Sequence, residues 1–175
     1  NEAAMERLLE EDTPENRVRA FCHYHLAVES VLAQTGYYGI TSSFSERGDD
    51  LLVDDAPDFP NLAGLVRGVG FIRSDEGRHV GFGMYHVQEH LANDSVDESV
   101  VQDVLQEQMP NVARIVSFSD SGFLDAAPLV EYASDKLTRR IEIITDSEAE
   151  IPDVEELVTL DDGDTTTRSP AASDD

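Results

Sequence analysis

An all-α bundle is the fold class that this 175-residue sequence predicts, on three observations. Apolar residues make up 40% of the chain and recur with the spacing of one helix face. Strand-type alternation is scarce. The periodic stretches are roughly 20–30 residues long and joined by loops, the pattern of packed helices.

The elements follow in order. Residues 1–12 read as the end of a helix, with Met5, Leu8 and Leu9 as a short apolar strip. Asp12-Thr13-Pro14-Glu15 stops it and starts another: Thr13 can cap, Pro14 suits the first turn, and Glu15 favours the positive end. That second helix is expected over 14–37, stopped by Gly36 and Gly39. Residues 41–58 are polar, acidic and broken by Gly48 and Pro57, a loop with one extended piece at Leu51 to Val53. A third helix, the most periodic segment, is expected over 60–92. Asp94 or Ser95 caps a fourth over 97–118, and a fifth spans 123–145 with Pro128 near its first turn. Residues 1–147 thus form one bundle, and the acidic, then small and polar stretch 148–175 reads as a disordered tail.

Charge excludes several functions. The 37 acidic and 12 basic side chains give a formal charge of −25, against nucleic-acid binding and against an anionic membrane surface. No run of about 18 apolar residues could span a bilayer. The stretch Asn1 to Asp12 lacks the apolar centre of a signal peptide, so a cytoplasmic protein is expected. Cys22 is the single cysteine, which rules out an internal disulfide framework. Lys136 is the one lysine against eleven arginines, and this balance with dense Asp and Glu is what a very salty, halophile-like cytoplasm favours.

The chemistry-bearing pattern lies on two helices. At about 100° per residue, Leu62, Leu65, Val69, Ile72, His79, Val80, Gly83 and Val87 share the face of Glu76. The preceding helix repeats the arrangement, with Val18, Cys22, His25, Leu26, Leu32 and Ala33 around Glu29. A carboxylate in an apolar stripe needs a cation, a proton or a metal. Glu76-x-x-His79 sets one oxygen and one nitrogen on one face, as in the cores of di-iron and di-manganese bundles. Mixed oxygen and nitrogen donors suit iron or manganese more than structural zinc.

Other residues carry blander readings. His86 and His90 read as surface or capping groups, His25 as a packed core histidine rather than an outer partner of Glu29, and His23 as outward-facing. Tyr37 and Tyr38 read as packing. Gly68, Gly70, Gly77, Gly81 and Gly83 follow no strand, so they point to close helix packing or ligand room, not a nucleotide loop.

The stretch Arg73-Ser74-Asp75-Glu76-Gly77-Arg78-His79-Val80-Gly81-Phe82-Gly83 closely resembles the last metal-binding helix of the ribonucleotide reductase small-subunit superfamily. Tyr24-His25-Leu26-Ala27-Val28-Glu29-Ser30-Val31-Leu32-Ala33-Gln34-Thr35-Gly36-Tyr37-Tyr38 resembles the helix before it, most of all in the small-subunit-like ligand-binding oxidases. The resemblance implies a ferritin-like bundle in which Glu29, Glu76 and His79 hold metal and Asp75 orients the ligands by hydrogen bonds. It places Tyr24 where those oxidases have a tyrosine ether-linked to a valine. It implies a manganese/iron or two-iron cofactor, oxygen activation, a bound long-chain fatty acid and a homodimer.

The family uses six metal ligands, and three are present. The remaining Glu, the second Glu-x-x-His and the valine partner of Tyr24 are expected on helices upstream of residue 1, so the chain is expected to be the C-terminal part of such a bundle. Two alternatives follow: a radical-generating reductase small subunit, against which the absence of a tyrosine after Tyr132 speaks, and a non-enzymatic helical fragment with a degenerate site.

Overall fold

A computed structural model describes residues 2–45, 51–117 and 123–158. Helix α1 (Glu2–Glu10) ends before Thr13, whose side chain accepts a hydrogen bond from the Asn16 amide at 3.2 Å and caps α2 (Pro14–Phe21). The chain then runs without a break through a π-helical segment (Cys22–Ala33) into α3 (Gln34–Ser43). After the 44–62 connection come α4 (Ala63–Ala92), α5 (Glu98–Ser117), α6 (Ala126–Thr145) and the short α7 (Val154–Leu157). The chain is all-α, as expected.

The π-helical segment sits at the centre, with α4, α5 and α6 packed around it. Leu26 and Val31 of that segment, Val80, Met84 and Val87 of α4, Val101, Val104 and Leu105 of α5, and Leu129 and Ile144 of α6 form one apolar cluster. Burying a side chain of this kind contributes about 1.5–3 kcal/mol, so this cluster fixes the π-helical segment against α4, α5 and α6. None of the described helices is long and apolar enough to cross a membrane.

Two expectations are corrected. Gly36 and Gly39 do not stop the second helix, which reaches Ser43. The hydroxyls of Thr35 and Ser43 bond back to the carbonyls of Val31 and Gly39 at 2.6 and 2.7 Å, and a Cβ added at Gly39 would lie 3.7 Å from Leu129 Cδ2. Packing against α6 outweighs the roughly 1 kcal/mol that each helical glycine costs. The extended piece is present: Leu52 bridges Leu124 in antiparallel fashion, with Val53 donating to the Phe123 carbonyl at 3.1 Å.

The second correction concerns residues 148–158, expected in the disordered tail. They form a strap on α4, in which Leu157 is 1% exposed. The Arg140 guanidinium, itself buried, ties the strap down: Nη2 donates to the Leu157 carbonyl at 2.7 Å and Nε to Ser30 Oγ at 3.0 Å. Ile151, Val154, Leu157 and Val158 give the stretch an apolar side that its acidic average hides. Residues 159–175 of the expected tail lie outside the described residues.

Candidate metal centre

Glu29 leaves the π-helical segment, and Glu76 and His79 leave α4 one turn apart. One donor atom from each of the three comes within 4.8 Å of the others. His79 Nδ1 stands 3.3 Å from Glu29 Oε1 and 3.5 Å from Glu76 Oε2. Glu29 is 6% exposed, Glu76 is largely buried, and the side chain of His79 is 49% exposed. The cluster therefore has a desolvated floor and one open side.

The helices approach closely to make this floor. A Cβ at Gly83 would lie 2.3 Å from the Cβ of His25, so only glycine lets α4 come this near the π-helical segment. A Cβ at Gly77, next to Glu76, would meet Val158 Cγ1 at 2.7 Å and the Val154 carbonyl at 3.2 Å, so the strap seals the far side of α4. Gly68 and Gly70 have open space instead, and close packing does not account for them. Stretches of π-helix recur at functional sites because the wider turn re-aims side chains, and here the wider turn carries Glu29.

Two outer partners hold the carboxylates. His25 Nδ1 lies 2.6 Å from Glu29 Oε2. The Tyr37 hydroxyl donates to Glu76 Oε1 at 3.5 Å. Burial, and then the negative charge of Glu76, push the Tyr37 hydroxyl above its ordinary pKa, so it stays a donor through the neutral range. Glu76 Oε2 is buried and has no hydrogen-bond partner among the described residues. A buried carboxylate oxygen without a donor is costly, and a cation between it, Glu29 and His79 would satisfy it. Two carboxylates and an imidazole fit iron or manganese.

Not every expected residue joins the cluster. Asp75 does not touch Glu29, Glu76 or His79: its carboxylate is 63% exposed and accepts from Arg78 Nη1 at 2.8 Å, because its neighbouring helix position aims it about 100° away from Glu76. Tyr24 is 46% exposed and makes an edge contact with the His25 ring at 5.1 Å, one residue removed from Glu29. His25 proves a partner of Glu29 rather than simply a packed core residue. Its i, i+4 spacing to Glu29 was the available signal. Tyr37, read as packing at a helix end, reaches Glu76 on another helix, a contact that the spacing along one helix does not show. His90 does cap, with Nδ1 2.9 Å from Ser95 Oγ, while His86 stacks on Phe21 at 5.4 Å. His23 is half-buried rather than outward, in a polar pocket with Arg7, Arg19 and Glu107.

An all-α fold with a buried glutamate set against a Glu-x-x-His pair defines a class, the ferritin-like di-metal carboxylate proteins. Within that class the solved structures it resembles are R2-like ligand-binding oxidases. A single-substitution variant with an anaerobically reconstituted Mn/Fe cofactor superposes with a TM-score of 0.69 at 26% identity, over 83% of this chain and 49% of that one. A second such variant gives 0.67 at the same identity and coverage. A third, aerobically reconstituted with Mn/Fe, gives 0.58 at 22% identity over 91% of this chain and 49% of that one. The chain thus spans about half the length of the oxidases it matches. No protein-family model matches the sequence.

Proposed function

We propose that this chain carries one half of the metal centre of an oxygen-activating di-metal oxidoreductase of the ligand-binding oxidase kind. The observation that carries the reading is the buried Glu76 Oε2, which has no hydrogen bond among the described residues and faces Glu29 and His79. Glu29, Glu76 and His79 would hold metal, and iron with manganese, or two irons, would supply the electrons for oxygen reduction. The protein's own part is to keep the floor dry, to fix Glu29 through His25 and to fix Glu76 through Tyr37. Tyr24, against His25, would be the candidate for oxidative cross-linking.

A long-chain, fatty-acid-like ligand is the second part of this proposal, and one apolar cavity supports it. An apolar cavity of about 460 Å³ opens one turn beyond Glu29, lined by Leu32, Ile40, Phe44, Phe59, Phe123 and Leu129 among others. Cavities of this size and lining take apolar ligands.

The test is anaerobic loading with Mn(II) and Fe(II), metal analysis, and oxygen uptake on admission of air. The chain should retain metal through Glu29, Glu76 and His79, and oxygen uptake should follow the metal content. Glu29→Ala and Glu76→Ala should each lower metal affinity by more than about 100-fold, exceeding the usual loss from an outer partner. His90→Ala should change nothing. A chain that retains no metal, whatever the assembly, would leave a helical interaction protein with a degenerate site.

A further inference from the structure

We propose that Arg140 is a positioning residue for the metal centre: its buried guanidinium holds the segments that carry Glu29 and Glu76 in one fixed relation. The inference rests on the metal reading above and adds a residue that no ligand pattern points to. Arg140 leaves α6 and is 3% exposed. Its Nε donates to Ser30 Oγ at 3.0 Å, and Ser30, fully buried, is the residue after Glu29 in the π-helical segment. Its Nη2 donates to the Leu157 carbonyl at 2.7 Å, at the end of α7. That end of the strap packs on the residue after Glu76. A Cβ at Gly77 would lie 2.7 Å from Val158 Cγ1 and 2.9 Å from Val154 Cγ1, and one at Gly81 would lie 3.3 Å from Leu157 Cδ1. One arm of the fork thus ends beside Glu29, and the other ends on the strap that backs Glu76.

Helix packing alone does not require an arginine here. Burying a guanidinium is costly, and apolar side chains of similar volume hold helices together as well or better. What the guanidinium adds is a rigid planar fork, which fixes where its two acceptors stand relative to each other. Stretches of π-helix are rare, so the one that carries Glu29 is held by contacts from outside, and Ser30 to Arg140 is such a contact. Further along the same pair of elements Tyr38 stacks on Tyr132, ring centroids 4.6 Å apart, so α6 grips the chain on both sides of the junction into α3.

Mn(II) titration of the chain, with the electron paramagnetic resonance of the bound ion, tests this. Limited proteolysis by a Glu-specific protease, read by mass at Glu155 and Glu156 of the strap, is the readout that needs no metal. Ser30→Ala removes one arm: Mn(II) affinity should fall by about 10-fold and the spectrum should change, with the strap no more cleavable than before. Arg140→Gln removes both arms: affinity should fall further, and strap cleavage should rise by about 10-fold or more, as it tracks the open population. Ser30→Ala should add nothing to affinity loss in the Arg140→Gln background, because both remove the same contact. Arg140→Lys, which keeps the charge and loses the fork, should restore neither. Val96→Ala opens a cavity between α4 and α5, about four turns from Glu76, and should lower the melting temperature without moving affinity or spectrum. If Arg140→Gln does not fold, Ser30→Ala decides alone. Unchanged affinity and spectrum in the Ser30 and Arg140 variants overturn the inference and leave the metal reading standing, as does an equal loss in Val96→Ala. No Mn(II) bound by the unaltered chain overturns both.

Discussion

His25 and Glu29 show how one contact would prepare a metal ligand. The ring nitrogen at 2.6 Å holds one carboxylate oxygen and leaves the other, 3.3 Å from His79, facing the cluster. Removing such a partner from a metal ligand typically costs about 10–100-fold in affinity. His25→Ala should therefore weaken Mn(II) binding by that factor while the chain stays helical, as a titration followed by circular dichroism would show. An unchanged affinity would mean that Glu29 is positioned by the backbone alone. Cys22, seven residues earlier, is set up for the opposite outcome. Burial pushes its thiol up to about 12, so it is protonated throughout the physiological range. A thiol-reactive chromogen should leave the folded chain unlabelled and react once denaturant is added. Because the folded value lies above the unfolded one, the stability this thiol contributes is complete below pH 9 and falls as pH rises toward 12.

Among the elements, the contact between α4 and the π-helical segment decides whether the site exists. Gly83→Ala adds a methyl 2.3 Å from the His25 Cβ, an atom that no rotamer change can move. The helices must separate, at a cost of about 1–3 kcal/mol that exceeds the gain of roughly 1 kcal/mol in helix propensity. Gly68→Ala meets nothing within 4 Å and should gain that propensity outright. Thermal melts of the two variants should move in opposite directions, and Gly83→Ala alone should lose Mn(II) affinity. The same contrast explains what could be seen beforehand. Long amphipathic periods at 60–92 and 97–118 were legible because burial on one face sets them, and observed ends at 63–92 and 98–117 differ by little. Glu29, Glu76 and His79 were legible because carboxylates rarely occupy apolar stripes. The π-helical register, the reach of α3 to Ser43 and the strap at 154–157 were not, since each depends on long-range contacts: Leu129 on Gly39, Arg140 on Leu157 and Ser30. The pairing of Asp75 with Arg78, away from its neighbour Glu76, was not legible either.

For the whole molecule the governing quantity is charge. The single lysine is buried, its ammonium 5.1 Å from the Tyr132 ring centroid, so every basic side chain that reaches the surface is arginine or histidine. A net −25 on 19.3 kDa repels itself in the folded state, and two such chains repel each other across any shared face. The screening length shrinks from about 10 Å at 0.1 M salt to about 3 Å at 1 M, which is below the spacing of most surface carboxylates. Raising KCl through that range should therefore raise the melting temperature, by about 2–4 °C for each kcal/mol of repulsion removed in a chain of this length. Sucrose supplies the control, because it favours compact states without screening charge. A rise in KCl that sucrose matches would assign the effect to solvent exclusion, and no rise at all would overturn salt adaptation.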